Sequence, residues 1–239
     1  MNNSVGNTAR LIGAGLRALL VLTVICGVLY PLAVTGIAQA LFNDKANGSE
    51  TKDKSGRVVG SSLIGQSYSL PKQNPDDPEE AAKPDLEWFQ PRPSNGLGSN
   101  SVNTQYALIL SGATNRSADN GAVNGTCDPN DVEDGTLCAQ VLAAKEAVIT
   151  DNSTNGYTVK PEDVPADAVT SSGSGLDPHI SPEYAKLQVH RVAEQNELDV
   201  EQVEKLVADH TTGRTLGFMG EPRVNVLELN TALKALTTS

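Results

Sequence analysis

Aromatic side chains are scarce in this chain: one Trp, five Tyr and three Phe among 239 residues. A core built from it is therefore aliphatic. Cysteine and histidine are equally rare, at three each. There is no His-Glu-x-x-His and no paired-cysteine motif, which argues against zinc. His190 and His210 stand alone on predicted helices. Positive charge is short beyond the N-terminus. Residues 43–239 carry 16 Lys+Arg against 29 Asp+Glu, a net −13, whereas residues 1–42 carry +2. So acidic a region does not grip nucleic acid by neutralising phosphates. It can raise the local cation concentration, although its ordinary consequence is solubility. Finally, there is a single long apolar run.

That run is Ala18–Phe42, 25 uncharged and mostly apolar residues. A helix of this length crosses the roughly 30 Å hydrocarbon core of a bilayer. A core helix of a soluble protein has no need to be apolar all round. Arg10 and Arg17 lie on its N-terminal side and no acid precedes it. Positive flanks stay cytoplasmic, so residues 1–17 are expected inside, 18–42 in a cell membrane and 43–239 outside. A cleaved signal peptide is the rival, with Ala38-Gln39-Ala40 as the small-x-small site. Signal h-regions, however, are only about 7–15 residues long. A lipoprotein reading at Cys26 is poor, because bulky Ile25 stands where a small residue is needed. Transmembrane helices tolerate a proline such as Pro31. Gly27, Ala33, Gly36 and Ala40 would let another helix approach, and Gln39 could hydrogen-bond a neighbour.

The remaining residues suit one small α/β or α+β domain. Residues 43–57 read as a polar stalk. Val58–Val59 and Leu63–Ile64 suit a small strand or turn pair. Pro71–Pro84, with four prolines and four acids, reads as an extended surface loop,. The Trp88-Phe89 pair must be buried against something. Residues 111–136 are rich in Gly, Asn, Asp and Ser and read as a flexible loop or insertion. Cys127 and Cys138 bracket its end and pair if they lie outside the membrane. Leu137, Val141, Ala144 and Val148 form one helical stripe. Ser181-Pro182 is an N-cap followed by a first-turn proline, with Ala185, Val189, Val192 and Ala193 on one face. Asp199 with Gln202 is a capping box opening a helix with Val203, Leu206 and Val207 inward, stopped by Gly213. Asn225 with Glu228 repeats the box, followed by Val226, Leu229, Leu233 and Leu236. Val164–Thr170 and Thr215–Met219 are candidate strands.

The densest local pattern is Ser171 to Pro182. A Gly/Ser loop entering a helix N-terminus can present N–H groups to an anion, but no Gly-Lys-Ser/Thr follows it. Ser174, Asp177 and His179 are a serine-hydrolase set by residue type, without the Gly-x-Ser-x-Gly elbow. The structural alternative is that Gly173 and Gly175 permit tight turns, Asp177 caps and His179 bonds the backbone. A calcium-like loop runs through Asp151, Ser153, Asn155, Gly156 and Glu162, but Pro161 and Pro165 spoil its exit helix.

Several stretches together resemble the C subunit of the Kdp potassium-transporting P-type ATPase. They are Leu29-Tyr30-Pro31-Leu32 with Thr35-Gly36, Ala46-Asn47-Gly48-Ser49, Gly60 to Gln66, Arg92-Pro93-Ser94, Ser172 to Pro182, and Gly213 to Asn230. They occur in order between residues 16 and 236. The resemblance implies an accessory subunit of an ATP-driven, high-affinity potassium importer. Its partners would be a channel-like potassium-conducting subunit, a P-type ATPase subunit and a very small hydrophobic subunit. It also implies a role in assembly, and as a catalytic chaperone raising the ATP affinity of the ATPase subunit, with ATP reached through that partner and no cofactor held firmly. The chain lacks the Asp-Lys-Thr-Gly phosphorylation motif. The charge-derived topology favours a role at the outer mouth, stabilising the channel-like subunit or gating ion entry. Against the family pattern, Pro91 stands where Gly usually precedes Arg-Pro-Ser, and residues 95–136 are altered and lengthened. Leu110-Ser111-Gly112 is similar to the start of an ABC-type signature but lacks its later Gly-Gln. The competing reading is a membrane-anchored exported hydrolase using Ser174 and His179.

Overall fold

The structure, a computed structural model, describes residues 3–74, 77, 80, 83–94, 127–129, 132 and 136–238. Leu110-Ser111-Gly112 and nearly all of the 95–136 stretch lie outside the described residues. The backbone forms two units, Met1–Ser49 and Glu50–Ser239.

The first unit is helical. Helix α1 spans Asn3–Val24, a π turn covers Ile25–Leu29, and α2 follows from Tyr30 to Leu41. The helix therefore begins well before Ala18 and takes in both Arg10 and Arg17. Its apolar part, Gly6–Leu41, has 36 residues, about 54 Å at 1.5 Å per residue. That outruns the hydrocarbon core, so the N-terminal turns with their arginines can reach the polar interface. No residue of the π turn or of α2 is buried. The π turn has a local cause. Pro31 has no N–H, and in a regular helix its ring collides with the Gly27 carbonyl. The backbone widens instead, and the Tyr30 N–H reaches Ile25 O, five residues back,. The short helix α3, Asn43–Ala46, follows. Gln39 bonds to residues that follow it in the chain. It donates to Asn47 Oδ1 (3.0 Å) and accepts from Asn43 Nδ2 (3.1 Å).

The second unit begins inside the expected stalk, because Glu50–Lys52 is a strand, β1. It pairs antiparallel with β2, Val58–Ser61. Asp53 makes this turn: its Oδ1 accepts from the Ser55 hydroxyl (2.6 Å) and from the N–H groups of Ser55 and Arg57 (2.9 Å each). Led by the Ser55 hydroxyl, these bonds hold its carboxyl down to about 2,. Helix α4, Leu137–Asn152, is capped by Thr136, and a disulfide joins Cys127 to Cys138 at its start.

Neither candidate strand forms. Val164–Thr170 is instead the short helix α5, Ala166–Val169, because Pro165 fixes an extended N-cap and Asp167 occupies the first turn,. Thr215–Met219 is a tight turn, with Leu216 and Gly217 in the left-handed region. The second sheet is built from β3 (His179–Ile180), β4 (Thr211–Thr212) and β5 (Arg223–Asn225), antiparallel in the order β3-β5-β4.

The helix expected after Ser181 breaks in two, α6 (Pro182–Leu187) and α7 (Val189–Gln195). At the break, Gln188 N–H turns back to Ala185 O (3.2 Å). Helix α8, Val200–Asp209, opens on the Asp199–Gln202 capping box. It ends at His210, whose Nδ1 lies 2.9 Å from Leu206 O, before Gly213 is reached. Helix α9 spans Val226–Thr237 and is capped by Asn225. The core is aliphatic: Val192, Val203, Val207, Val224, Leu229 and Leu233 are buried, joined by Phe89 and Tyr184.

The end of α7 is a Schellman motif. Leu198 N–H bonds Ala193 O (2.9 Å) and Glu197 N–H bonds Glu194 O (3.4 Å),. Glu197 holds the left-handed C′ position at φ 54°, where glycine is normal. Glu197→Gly is therefore expected to stabilise the domain by about 1 kcal/mol in denaturant unfolding. A loss of stability would show that the exposed glutamate does something besides turning the chain.

Candidate functional site

The site is a junction of segments far apart in sequence, and a buried polar cluster builds it. Residues 85–94 run without regular structure past α7 and α9. A segment outside helix and sheet needs partners for its backbone, and side chains supply them. Asn230 accepts the Phe89 N–H (3.0 Å) and donates to Phe89 O (2.9 Å). Gln188 does the same for Gln90, at 2.7 and 3.1 Å. Arg191 donates to Leu86 O, to Trp88 O (3.0 Å), to Gln188 Oε1 (2.7 Å) and to Asn152 Oδ1 (2.9 Å). Only 2% of Arg191 is exposed, and burial pushes its guanidinium down to about 10,.

This grip delivers Arg92-Pro93 to the Gly/Ser loop. Arg92 Nη1 donates to Asp177 Oδ2 (3.3 Å), and Nη2 to Thr170 O (3.2 Å) and Ser171 O (3.4 Å). Ser172 N–H bonds Pro93 O (2.9 Å). From another side, Gly65 N–H reaches Leu176 O (2.9 Å) and Asn225 Nδ2 donates to Ser62 O (2.8 Å). The junction thus joins 60–66, 92–94, 171–182 and the start of α9. Arg92 Nε, Ser94 Oγ and Gln140 Oε1 are buried here without a hydrogen-bond partner among the described residues.

Of the predicted site residues, Gly175 is buried at φ 70°, so a tight turn there needs glycine,. Gly173 is exposed in open space. Ser174 Oγ lies 3.2 Å from Ser172 Oγ and accepts the Leu176 N–H (3.1 Å). Asp177 Oδ1 accepts the His179 N–H (3.0 Å), and His179 Nδ1 stands 3.4 Å from the same oxygen. The His179 contact, and then Arg92, hold the Asp177 carboxyl below its ordinary range against a desolvation cost. These groups tie the loop together.

The comparisons bear on the same stretches. The sequence model of the KdpC family, described as K+-transporting ATPase, c chain, matches residues 12–235. The chain belongs to the KdpC family. It is 67% identical over 239 residues to the potassium-transporting ATPase KdpC subunit of Streptomyces avermitilis, covering 100% of both chains. The subunit of the same name from Streptomyces coelicolor is 64% identical over 236 residues, covering 99% of this chain and 97% of that one. That of Gemmatimonas aurantiaca is 41% identical over 228 residues, covering 94% of each. Of the motifs that resemble the KdpC family in sequence, Gly60 to Gln66, Arg92-Pro93-Ser94, Ser172 to Pro182 and the Asn225 end of Gly213 to Asn230 meet at the junction, while Leu29 to Gly36 and Ala46 to Ser49 lie in the first unit. Nothing in the geometry or the comparisons supports the hydrolase reading.

The calcium-like loop is spent on local structure. Asp151 lies in the last turn of α4, and burial raises its carboxyl. Ser153 Oγ donates to Ile149 O (2.7 Å) and accepts the Val159 N–H (3.1 Å). Thr154 and Tyr157 close a tight turn, and Asn155 and Glu162 are exposed. Among the described residues no three His, Cys, Asp or Glu side chains gather as around a metal ion. His190 stacks on Tyr157 with ring centroids 3.9 Å apart.

Sequence reasoning missed Gln188, Arg191 and Asn230. Their signal was polar side chains at helical spacing among buried apolar ones. It also missed why Gly60 matters. A Cβ there would lie 2.1 Å from Gln66 Nε2 and 2.8 Å from Leu227 Cδ2, and Gln66 is fixed by its bond to Val59 O (3.0 Å). Gly60→Ala should cost about 1–3 kcal/mol in chemical denaturation; an unchanged midpoint would show that Gln66 moves freely. A second expectation concerns pH. A carboxylate held low in the fold stabilises above its unfolded value of about 3.9 and loses that contribution as pH falls through the folded value. Unfolding of the native domain should become easier as pH drops below about 4. Asp177→Asn should cost about 1 kcal/mol at neutral pH and flatten this acid limb. An unaltered limb would assign the acid sensitivity elsewhere.

Proposed function

We propose that this chain is a non-catalytic, membrane-anchored accessory subunit of an ATP-driven potassium importer, with residues 43–239 on the outer side of the cell membrane. The observation that carries it is the family match over residues 12–235, joined to one N-terminal helix long and apolar enough to cross a bilayer. Arg10 and Arg17 before the apolar stretch support a cytoplasmic N-terminus. The relatives' shared name places them in a potassium-transporting ATPase. The chain's resemblance to that family supports three partners: a channel-like subunit that conducts potassium, a P-type ATPase subunit that hydrolyses ATP, and a very small hydrophobic subunit. ATP then acts through the ATPase subunit. The site residues support a structural role, since Arg92, Asp177 and Ser174 are engaged in holding segments together. A net −13 beside an ion entry would also concentrate cations locally,.

Thr238→Cys tests the arrangement in intact cells. It should react with a membrane-impermeant maleimide added from outside, while a complex lacking this chain should lose potassium-stimulated ATP hydrolysis. Labelling only after permeabilisation would overturn the topology. ATP hydrolysis by the purified chain alone would overturn the non-catalytic assignment.

A further inference from the structure

Among the described residues, the turn between β4 and β5 carries the domain's two most exposed large apolar side chains, with a third beside them. Leu216 is 79% exposed, Phe218 71% and Met219 49%. Water does not favour such a cluster, and nothing in the domain's own core requires it. The turn is also preformed. Thr215 N–H bonds Met219 O (2.8 Å) and Met219 N–H bonds Thr215 O (3.0 Å), while Gly217 N–H bonds Arg214 O (3.1 Å). Leu216 is held at φ 54°, a costly place for a leucine,. A rigid turn that pays backbone strain to hold leucine outward is a preorganised contact.

Its chemistry narrows the occupant. At the base Arg214 pairs with Glu221 at 2.7 Å, and Glu221 is 79% exposed. A tip built to enter anionic lipid would carry unpaired cations, not an exposed carboxylate on an acidic domain. The size narrows it further. Three side chains fall far short of the roughly 800 Å² per partner that holds free proteins together. They suffice when both partners are already confined side by side, because the second contact is then effectively intramolecular. This chain is confined in that way. Only Phe42 to Ser49 separate the end of its membrane helix from its domain.

We infer that Leu216, Phe218 and Met219 form a knob that seats in an apolar pocket on a membrane protein subunit of the same complex, a second attachment beside the helix. This rests on the proposed function above and names a surface for it. The test is p-benzoylphenylalanine in place of Phe218 in the full chain, expressed with its complex in membranes, irradiated and analysed by mass spectrometry. An adduct to another protein subunit is expected, and the same label in place of Leu70, also an exposed apolar residue, should give none. Phe218→Asp should lower recovery of this chain with detergent-purified complex by about tenfold or more, and Leu70→Asp should not. A lipid adduct, an adduct to a second copy of this chain, or equal labelling from both positions would overturn the inference. If the unsubstituted chain co-purifies with its partners and Phe218 yields no adduct, the knob fails and the subunit reading stands. If the chain co-purifies with nothing, both fail.

Discussion

Burying a guanidinium is expensive unless its donors are all engaged, and Arg191 is buried inside the second unit,. Its bonds go to amide oxygens: Leu86 and Trp88 backbone, and the side chains of Gln188 and Asn152. Gln188 and Asn230 complete a polar seam along the edge of an aliphatic core. The seam substitutes for a sheet. Residues 86–90 turn at Leu86–Trp88 and then run on without regular structure, and their backbone groups are paired by side chains from the α6–α7 break, α7 and α9. Removing a member leaves backbone groups buried and unpaired, a cost of about 1–3 kcal/mol each. The helix break at Gln188 has its purpose here, since Gln188 is fully buried with its amide facing Gln90. Everything distal on the segment depends on this grip. Arg92 reaches Asp177 and Thr170 only because Phe89 and Gln90 are fixed.

Local signals in the sequence read well where a few neighbouring residues decide the outcome. The apolar run, the Ser181-Pro182 start, the Asp199–Gln202 box and the burial of Phe89 all follow from patterns a few residues long. The errors fall where tertiary partners decide. Val164–Thr170 is a candidate strand in the sequence, but Pro165 and Asp167 form a helical turn. The real strands are two or three residues long and are set by β5 lying between β3 and β4. Gly213 reads as a helix stop in the sequence, yet His210 ends α8, and Gly213 comes only after β4. The site was legible as motifs but not as a junction. No short-range pattern shows that Gly65 meets Leu176 or that Arg92 meets Asp177. Polar residues at core positions of α7 and α9 were the available clue to the seam, and they pass for surface residues until the chain is folded.

The arrangement fits a subunit whose work is mechanical. The groups that resembled a catalytic set are bonded to one another and to the backbone, and so fix a loop. Rigidity at the junction holds β3 against β5, and β5 leads back from the exposed Leu216-Gly217-Phe218-Met219 turn. A stiff path therefore runs from the buried arginine, through the motif junction and the small sheet, to the exposed apolar turn. The knob proposed above has use for such a path, because a contact of only three side chains tolerates little looseness.

The central claim is that side chains pair the 86–90 segment as firmly as a strand. Residue-resolved amide hydrogen exchange on the native protein tests it directly. The N–H groups of Phe89 and Gln90, which meet Asn230 and Gln188, should exchange only with global unfolding, as slowly as amides in the middle of α9, and Arg191→Lys should speed both selectively. Exchange of Phe89 and Gln90 as fast as that of the exposed residues at Pro71–Asn74, in the unsubstituted protein, would contradict the account.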